Sequence, residues 1–373
     1  MTRIVSVTGL ALVLIACDKQ PEADKAAPPS AAAPVVAAAV APKPAAKEIS
    51  ERVLRRFSPV RARIEGEQQP AMEERVQLGR MLFHETRLSK SQAISCNSCH
   101  RLDNYGVDNE ATSPGHDGQR GKRNSPTVYH AAGFADQFWD GRAEDVEQQA
   151  LGPILAGVEM AAPNPEYVVK VLKTMPEYVQ AFQRAFPGEK EPLKFANVGV
   201  AIGAFERGLV TPSRWDDYLK GNKEALSNEE VDGLSVFAEV GCADCHTGEF
   251  LGGSMHKKAG VVQPWPNQED PGRAGVTKNE GDRMMFKVPT LRNITKTGPY
   301  FHDGSIKTLE EAVNMMGKHQ LGIELSKDEV ASIVTWLGSL TGQIPADYIK
   351  SPALPNSTSD TPRPDSAVAS NRH

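Results

Sequence analysis

Strong charge is missing from this chain. Its 373 residues carry 42 Lys and Arg against 47 Asp and Glu, a net charge of −5 at pH 7. That balance is wrong for a nucleic-acid binder, which must present a basic surface to phosphate. It is compatible with a basic redox partner, but only weakly. Long hydrophobic runs are missing too. The apolar stretch 4–16 is too short to span a bilayer stably, which takes about 20 residues. Convincing alternating strands are scarce, which disfavours a sheet-based fold. Cysteine is rare: there are five, Cys17, Cys96, Cys99, Cys242 and Cys245. Four of them fall in two motifs, SCNSCH ending at His100 and GCADCH ending at His246, so the globular part has no cysteine left over.

What is there begins with those motifs. A bare C-x-x-C reads as a redox dithiol or half of a zinc site. A histidine following at once specifies c-type haem attachment. The two thiols add across the haem vinyls and the imidazole becomes the proximal iron ligand. Two haem c groups are therefore expected, on Cys96, Cys99 and His100 and on Cys242, Cys245 and His246. Cys17 ends a short basic start and an apolar run, in the order LIAC. Residues 1–17 resemble a bacterial lipoprotein signal with Cys17 acylated; the alternative is an ordinary secretory signal with a chance cysteine. Both imply export, as c-type haem attachment in bacteria requires. Asp18 resembles an inner-membrane retention signal. The expectation is a periplasmic protein, lipid-anchored to the inner membrane and touching it through that anchor alone.

Residues 18–50 are rich in Ala and Pro without apolar periodicity, which predicts a disordered linker. A disordered tail is expected over 351–373. The folded part, 51–350, reads as mainly helical. Ser227-x-x-Glu230, Thr308-x-x-Glu311 and Ser326-x-x-Glu329 are capping boxes that open helices. Stretches 167–186 and 195–210 carry helix-length apolar patterns. The chain also repeats itself. Asp140-Gly141 follows Pro126-Thr127 just as Asp303-Gly304 follows Pro289-Thr290, with 14 residues from Pro to Asp in each case. The predicted fold is two class-I cytochrome c-like haem domains related by duplication. The first, 51–215, ends in a helical connector; the second is 216–350. The second also carries an insertion, KKAGVVQPWPNQEDPGRAG, expected as a surface loop.

The chemistry depends on what lies across each iron. A methionine there gives a high-potential electron carrier, and a displaceable position gives a site for a ligand such as peroxide. In the second half Met255, Met284, Met285, Met315 and Met316 are candidates. Counting from Thr308, Leu309, Val313 and Met316 share one helical face, so Met316 is either core or ligand. In the first half no methionine stands at a comparable position. His116, between Gly115 and Gly118, is either a solvated loop residue or a ligand on a loop free to swing. Glu159, in an apolar stretch, reads by itself as a routine surface or capped acid.

The stretches LGRMLF, SCNSCH, RNSPTV, FWDGRAEDVEQQALGPI, VEM, GCADCH, VPTLRN, PYFHDGS and LEEAVNMMGKHQLG are similar to those of the bacterial di-haem cytochrome c peroxidases, over about 70–345. The resemblance implies hydrogen peroxide as substrate and a small c-type cytochrome or cupredoxin as electron donor. It implies that the first haem is the peroxidatic, low-potential one, with His116 as its removable distal ligand. Glu159 and Gln149 match the residues that handle peroxide. The second haem matches the electron-input haem, with Met316 as distal ligand. Trp139 matches a tryptophan on the path between haems. Asn124 and the carbonyls of Thr297 and Pro299 resemble ligands of a calcium ion at the domain interface. Family members are usually homodimers. A neighbouring branch that oxidises tryptophans in a partner protein has a tyrosine for the methionine and lacks the distal histidine. This chain has both Met316 and His116.

Overall fold

The computed structural model describes residues 48–64 and 73–365. The expected signal with Cys17, the linker up to 47 and residues 366–373 lie outside the described residues. Several helices begin where the sequence supplies a capping side chain. After α1 (Glu51–Leu54) come α2 (Glu73–His84), α3 (Cys96–Cys99), α4 (Val146–Leu155), α5 (Pro165–Lys173), α6 (Pro176–Ala185), α7 (Phe195–Glu206), α8 (Arg214–Leu219), α9 (Asn228–Glu239), α10 (Ala274–Thr277), α11 (Leu309–Met316), α12 (Lys327–Gly338) and α13 (Ala346–Ile349). The three capping boxes open α9, α11 and α12, with Glu230, Glu311 and Glu329 donating their backbone N–H to the cap hydroxyls. The pattern 167–186 divides into α5 and α6, because Pro176 lacks the N–H that a continuous helix needs there. Two three-residue strands, β1 (His256–Lys258) and β2 (Met285–Lys287), pair antiparallel.

Two main apolar cores result. The first gathers α2, α4, α5, α6 and α7 around Leu78, Phe83, Tyr178, Phe182 and Phe205. The segment expected as a connector is therefore core: α7 packs directly on α2 and α4. The second gathers α8, α9, α11 and α12 around Trp215, Phe237 and Trp336. Each core has a crossing too close for a side chain at one glycine of α2 or α9. A Cβ on Gly79 of α2 would lie 1.8 Å from the Ala201 carbonyl oxygen of α7 and 2.9 Å from Phe205 Cβ. A Cβ on Gly233 of α9 would lie 2.0 Å from the Ser332 carbonyl oxygen of α12 and 2.9 Å from Trp336 Cβ.

The sequence repeat recurs as a repeat of conformation. Thr127 Oγ1 donates to the Tyr105 carbonyl at 2.7 Å and accepts from Tyr129 N at 3.0 Å. Thr290 Oγ1 does the same with Phe250 O at 2.6 Å and Arg292 N at 3.1 Å. His130 and Asn293, three residues further on, are both left-handed (φ 66° and 60°) and both reach Thr211 Oγ1, at 2.9 and 2.8 Å. Phe138 and Phe301 are left-handed in turns closed by Gln137 N to Ala143 O (2.8 Å) and Tyr300 N to Ile306 O (2.7 Å).

Three boundaries differ from expectation. Ile49 is buried in the second core, so the linker ends before it. The insertion after His256 is more than a surface loop, since Trp265 is buried against Phe301 and His319. The stretch 351–365, expected as disordered tail, is laid along the first half by polar contacts. Arg87 holds Pro355 O at 2.8 Å and Ser357 Oγ at 3.0 Å, Gln92 Nε2 holds Pro362 O at 2.7 Å, and Asp365 N bonds Lys90 O at 3.0 Å. Low apolar content hides such a segment from pattern reading, because backbone carbonyls and hydroxyls carry its attachment.

Candidate active site

The histidines of the two motifs are presented alike. Cys96 and Cys99 occupy α3, whose start is closed by Ser95 N donating to Ser98 Oγ at 3.0 Å. His100 Nδ1 lies 3.3 Å from the Gly106 carbonyl, and His246 Nδ1 lies 2.9 Å from the Leu251 carbonyl. A carbonyl accepts, so Nδ1 carries the proton and Nε2 is left to ligate. Burial lowers the proton affinity of both rings, with the carbonyls opposing it, which keeps them neutral. Among the described residues none of the four motif cysteines is in a disulfide. Burial pushes Cys242 up to about 12 and raises Cys96 and Cys99 as well.

Near the first motif, Pro114 and Arg120 form a bridge that closes a short turn over His116–Gly118. His116 is buried, and its Nδ1 has no hydrogen-bond partner among the described residues. Its Nε2 lies 3.4 Å from Asp117 Oδ2. The sequence alternative of a solvated loop histidine is thereby corrected: the ring is inside. His116 N donates to the Glu159 carbonyl at 2.7 Å. A Cβ on Gly115 would lie 2.0 Å from Val158 O, so the turn abuts the Glu159 loop directly. Burial raises the Glu159 carboxyl above the ordinary range, with the Arg142 charge opposing. Sequence reasoning did not single out Arg142, although it stands within FWDGRA. Its guanidinium sits 3.4 Å over the Phe138 ring and bonds Asp140 Oδ1 at 2.9 Å. Gln149, half-buried in α4, makes no side-chain hydrogen bond among the described residues, and nothing joins it to Glu159.

Trp139 is fixed at both ends. Its Nε1 donates to Asn124 O at 2.9 Å, and its own carbonyl accepts from Lys287 N at 2.8 Å. It packs with Met315 and Met316 on the cluster of Trp265, Met284 and Phe286. Trp139 and Met316, separate in sequence, thus share one apolar patch. Met315 touches it too, so packing by itself does not separate the two methionines. Asn124 Nδ2 donates to the carbonyls of Glu110 (3.0 Å) and Ala111 (3.4 Å), and Asn124 N to that of His302 (2.8 Å). Asn109 Nδ2 donates to Lys296 O (3.1 Å) and Gly298 O (2.7 Å). Asn124 and the segment holding Thr297 and Pro299 are therefore neighbours. Among the described residues no group of three or more His, Cys, Asp or Glu could hold a metal ion, so a cation here would rest on carbonyls, Asn124 and water.

A family model described as di-haem cytochrome c peroxidase matches residues 73–224. The chain is 48% identical over 296 residues to cytochrome c551 peroxidase of Nitrosomonas europaea, covering 79% of this chain and 87% of that protein. The chain belongs to the di-haem cytochrome c peroxidase family. Cytochrome c551 peroxidase of Pseudomonas aeruginosa is 46% identical over 302 residues, covering 79% of this chain and 86% of that one. Among solved structures, a MauG-like protein associated with microbial copper homeostasis superposes with a TM-score of 0.70 at 28% identity, over 79% of this chain and 97% of that one. Di-haem cytochrome c peroxidases carry haem c, and the residues here fit that group: paired cysteines and, beside each pair, an imidazole with its Nδ1 already engaged. The fold is helix-rich with little sheet and is shared with that MauG-like protein.

Proposed function

We propose that this chain reduces hydrogen peroxide in the periplasm with electrons from a small c-type cytochrome or cupredoxin. The net reaction is H2O2 + 2 e− + 2 H+ → 2 H2O. The observation that carries this reading is the 2.7 Å bond from His116 N to the Glu159 carbonyl, which ties the segment of a buried imidazole to that of a half-buried acid. When bound, the haems supply redox-active iron, one for peroxide cleavage and one for electron entry. Cys96, Cys99 and His100 would hold the first, together with a removable His116. Cys242, Cys245 and His246 would hold the second, together with Met316.

His116 closes the site at rest, and the Gly115–Gly118 turn carries it away to admit peroxide. Glu159 takes a proton from the near oxygen of peroxide and delivers it to the far oxygen, so that water leaves as the O–O bond breaks. Such positioned proton transfer is typically worth about 10²–10⁴-fold. Gln149 orients the peroxide and Trp139 lies on the electron path. Calcium on Asn124 and the carbonyls of Thr297 and Pro299 holds the two haem units in register. Those units, 51–215 and 216–350, are class-I cytochrome c-like and related by duplication, a reading supported by the matched Gly79 and Gly233 crossings and the matched Thr127 and Thr290 turns. Residues 1–17 are a lipoprotein signal, and the mature protein is a lipid-anchored homodimer.

The test is peroxide-dependent oxidation of reduced cytochrome c by the haem-loaded protein, with and without prior one-electron reduction and calcium. Turnover is expected. Turnover only after reduction supports His116 as a gate, and turnover without it removes the gate but keeps the peroxidase. No turnover with any donor, beside two permanently six-coordinate haems, identifies an electron carrier instead.

A further inference from the structure

The histidines of the two haem motifs are held alike, but the segments that hold them differ in charge. In each half the histidine gives its Nδ1 to a backbone carbonyl, Gly106 O for His100 and Leu251 O for His246. Two residues past that carbonyl the halves part: Asp108 stands in the first and Gly253 in the second. Asp108 is held firmly. Its Oδ1 accepts from Glu110 N at 3.0 Å, a local turn that fixes the carboxylate. Its Oδ2 is buried with no hydrogen-bond partner among the described residues. A buried carboxylate oxygen without a donor is costly to keep, and no step of peroxide reduction described above uses it.

Gly106 O lies 3.3 Å from His100 Nδ1, so Asp108 follows by two residues the backbone group that fixes the ring of the first motif. Gly253, at the matching place after Leu251, brings no side chain and no charge.

We infer that Asp108 is a positioning residue for charge, lowering the reduction potential of the haem ligated by His100 and so setting the potential difference between the two haems. A fixed negative charge in a low-dielectric interior stabilises ferric over ferrous iron, and the interaction decays slowly with distance there. Surrounding charge and hydrogen bonding are among the levers by which a protein tunes haem potential. The inference rests on haem attachment at His100 and stands or falls independently of the peroxidase reading.

Spectroelectrochemical titration of full-length D108N with both haems attached tests it. In D108N the first-haem midpoint is expected to rise by at least a tenfold change in the oxidised-to-reduced ratio at fixed poise, about 59 mV for one electron. The second-haem midpoint stays in place and serves as the internal reference, and D108E keeps the wild-type value. An unmoved first haem in D108N, or both haems moving together, overturns the inference. If D108N loads only one haem, as counted by pyridine haemochrome, D108S is read the same way, since its hydroxyl still accepts from Glu110 N. Peroxide turnover is not the readout, so loss of activity leaves the result unaffected.

Discussion

At the scale of single residues, burial decides chemistry more than residue type does. Glu159 is an ordinary glutamate in the sequence. In the fold it is partly desolvated, its proton affinity is raised, and its backbone carbonyl is bound by His116. A carboxyl raised by burial must be ionised to take a proton from peroxide, so activity should fall as pH drops through its raised pKa. E159Q should keep the fold and both haems, lose about 10²–10⁴-fold in kcat/KM, and lose that acid limb from the pH profile. A steady-state pH series on both proteins checks this, and an unchanged limb in E159Q would assign the titration to another group.

At the scale of elements, the Gly115–Gly118 turn and the Glu159 loop are one contact. A methyl at Gly115 has no room, being 2.0 Å from Val158 O and 2.8 Å from Glu159 Cα. Gly118, by contrast, is open, with only its left-handed φ of 76° to maintain. G115A should push the two loops apart, break the His116–Glu159 bond and cost about 1–3 kcal/mol, the usual range for overpacking. Its visible sign is a resting protein with a high-spin first haem, and an unchanged low-spin spectrum would show that the contact does not hold His116. The insertion illustrates the same point at larger size. Read as polar and proline-rich it looks dispensable, yet it delivers Trp265 into the cluster that Trp139 and Met316 share.

At the scale of the molecule, a fully buried ion pair ties together the segment at Val60, the start of α8 and the segment at Arg292. Arg292 donates to Asp216 twice, at 2.9 and 2.8 Å, while Val60 N and Ser213 N each donate to the same carboxylate at 2.7 Å. Burial pushes the Asp216 carboxyl up, but these donors outweigh it and hold the group below its ordinary range. D216N leaves a buried guanidinium unpaired and should cost about 3–5 kcal/mol. The pH sign follows from the depressed pKa. The contribution is present above the ordinary carboxylate value, about 4, and is lost as pH falls through the folded value. Thermal melts of wild type and D216N from neutral to acid pH should therefore converge at the acid end. Parallel curves would mean that the pair is not the titrating element.

The sequence by itself determined the two C-x-x-C-H motifs, several helix starts and the repeat. C-x-x-C-H is a covalent requirement written in adjacent residues, and a capping box is satisfied within four residues, so neither needs the fold to be recognised. The Pro126 and Pro289 frames were legible for the same reason, since a left-handed turn restricts the residues that can occupy it. The proposed site was suggested only by family resemblance: His116, Glu159, Gln149, Trp139 and Met316 carry no local signal of the roles proposed for them. Tertiary structure decided the rest. It buried His116, made α7 core instead of connector, seated Trp265, and laid 351–365 along the first half. Each depends on partners tens to hundreds of residues away, and desolvation, close approach and backbone hydrogen bonds at that range leave no periodic trace in the chain.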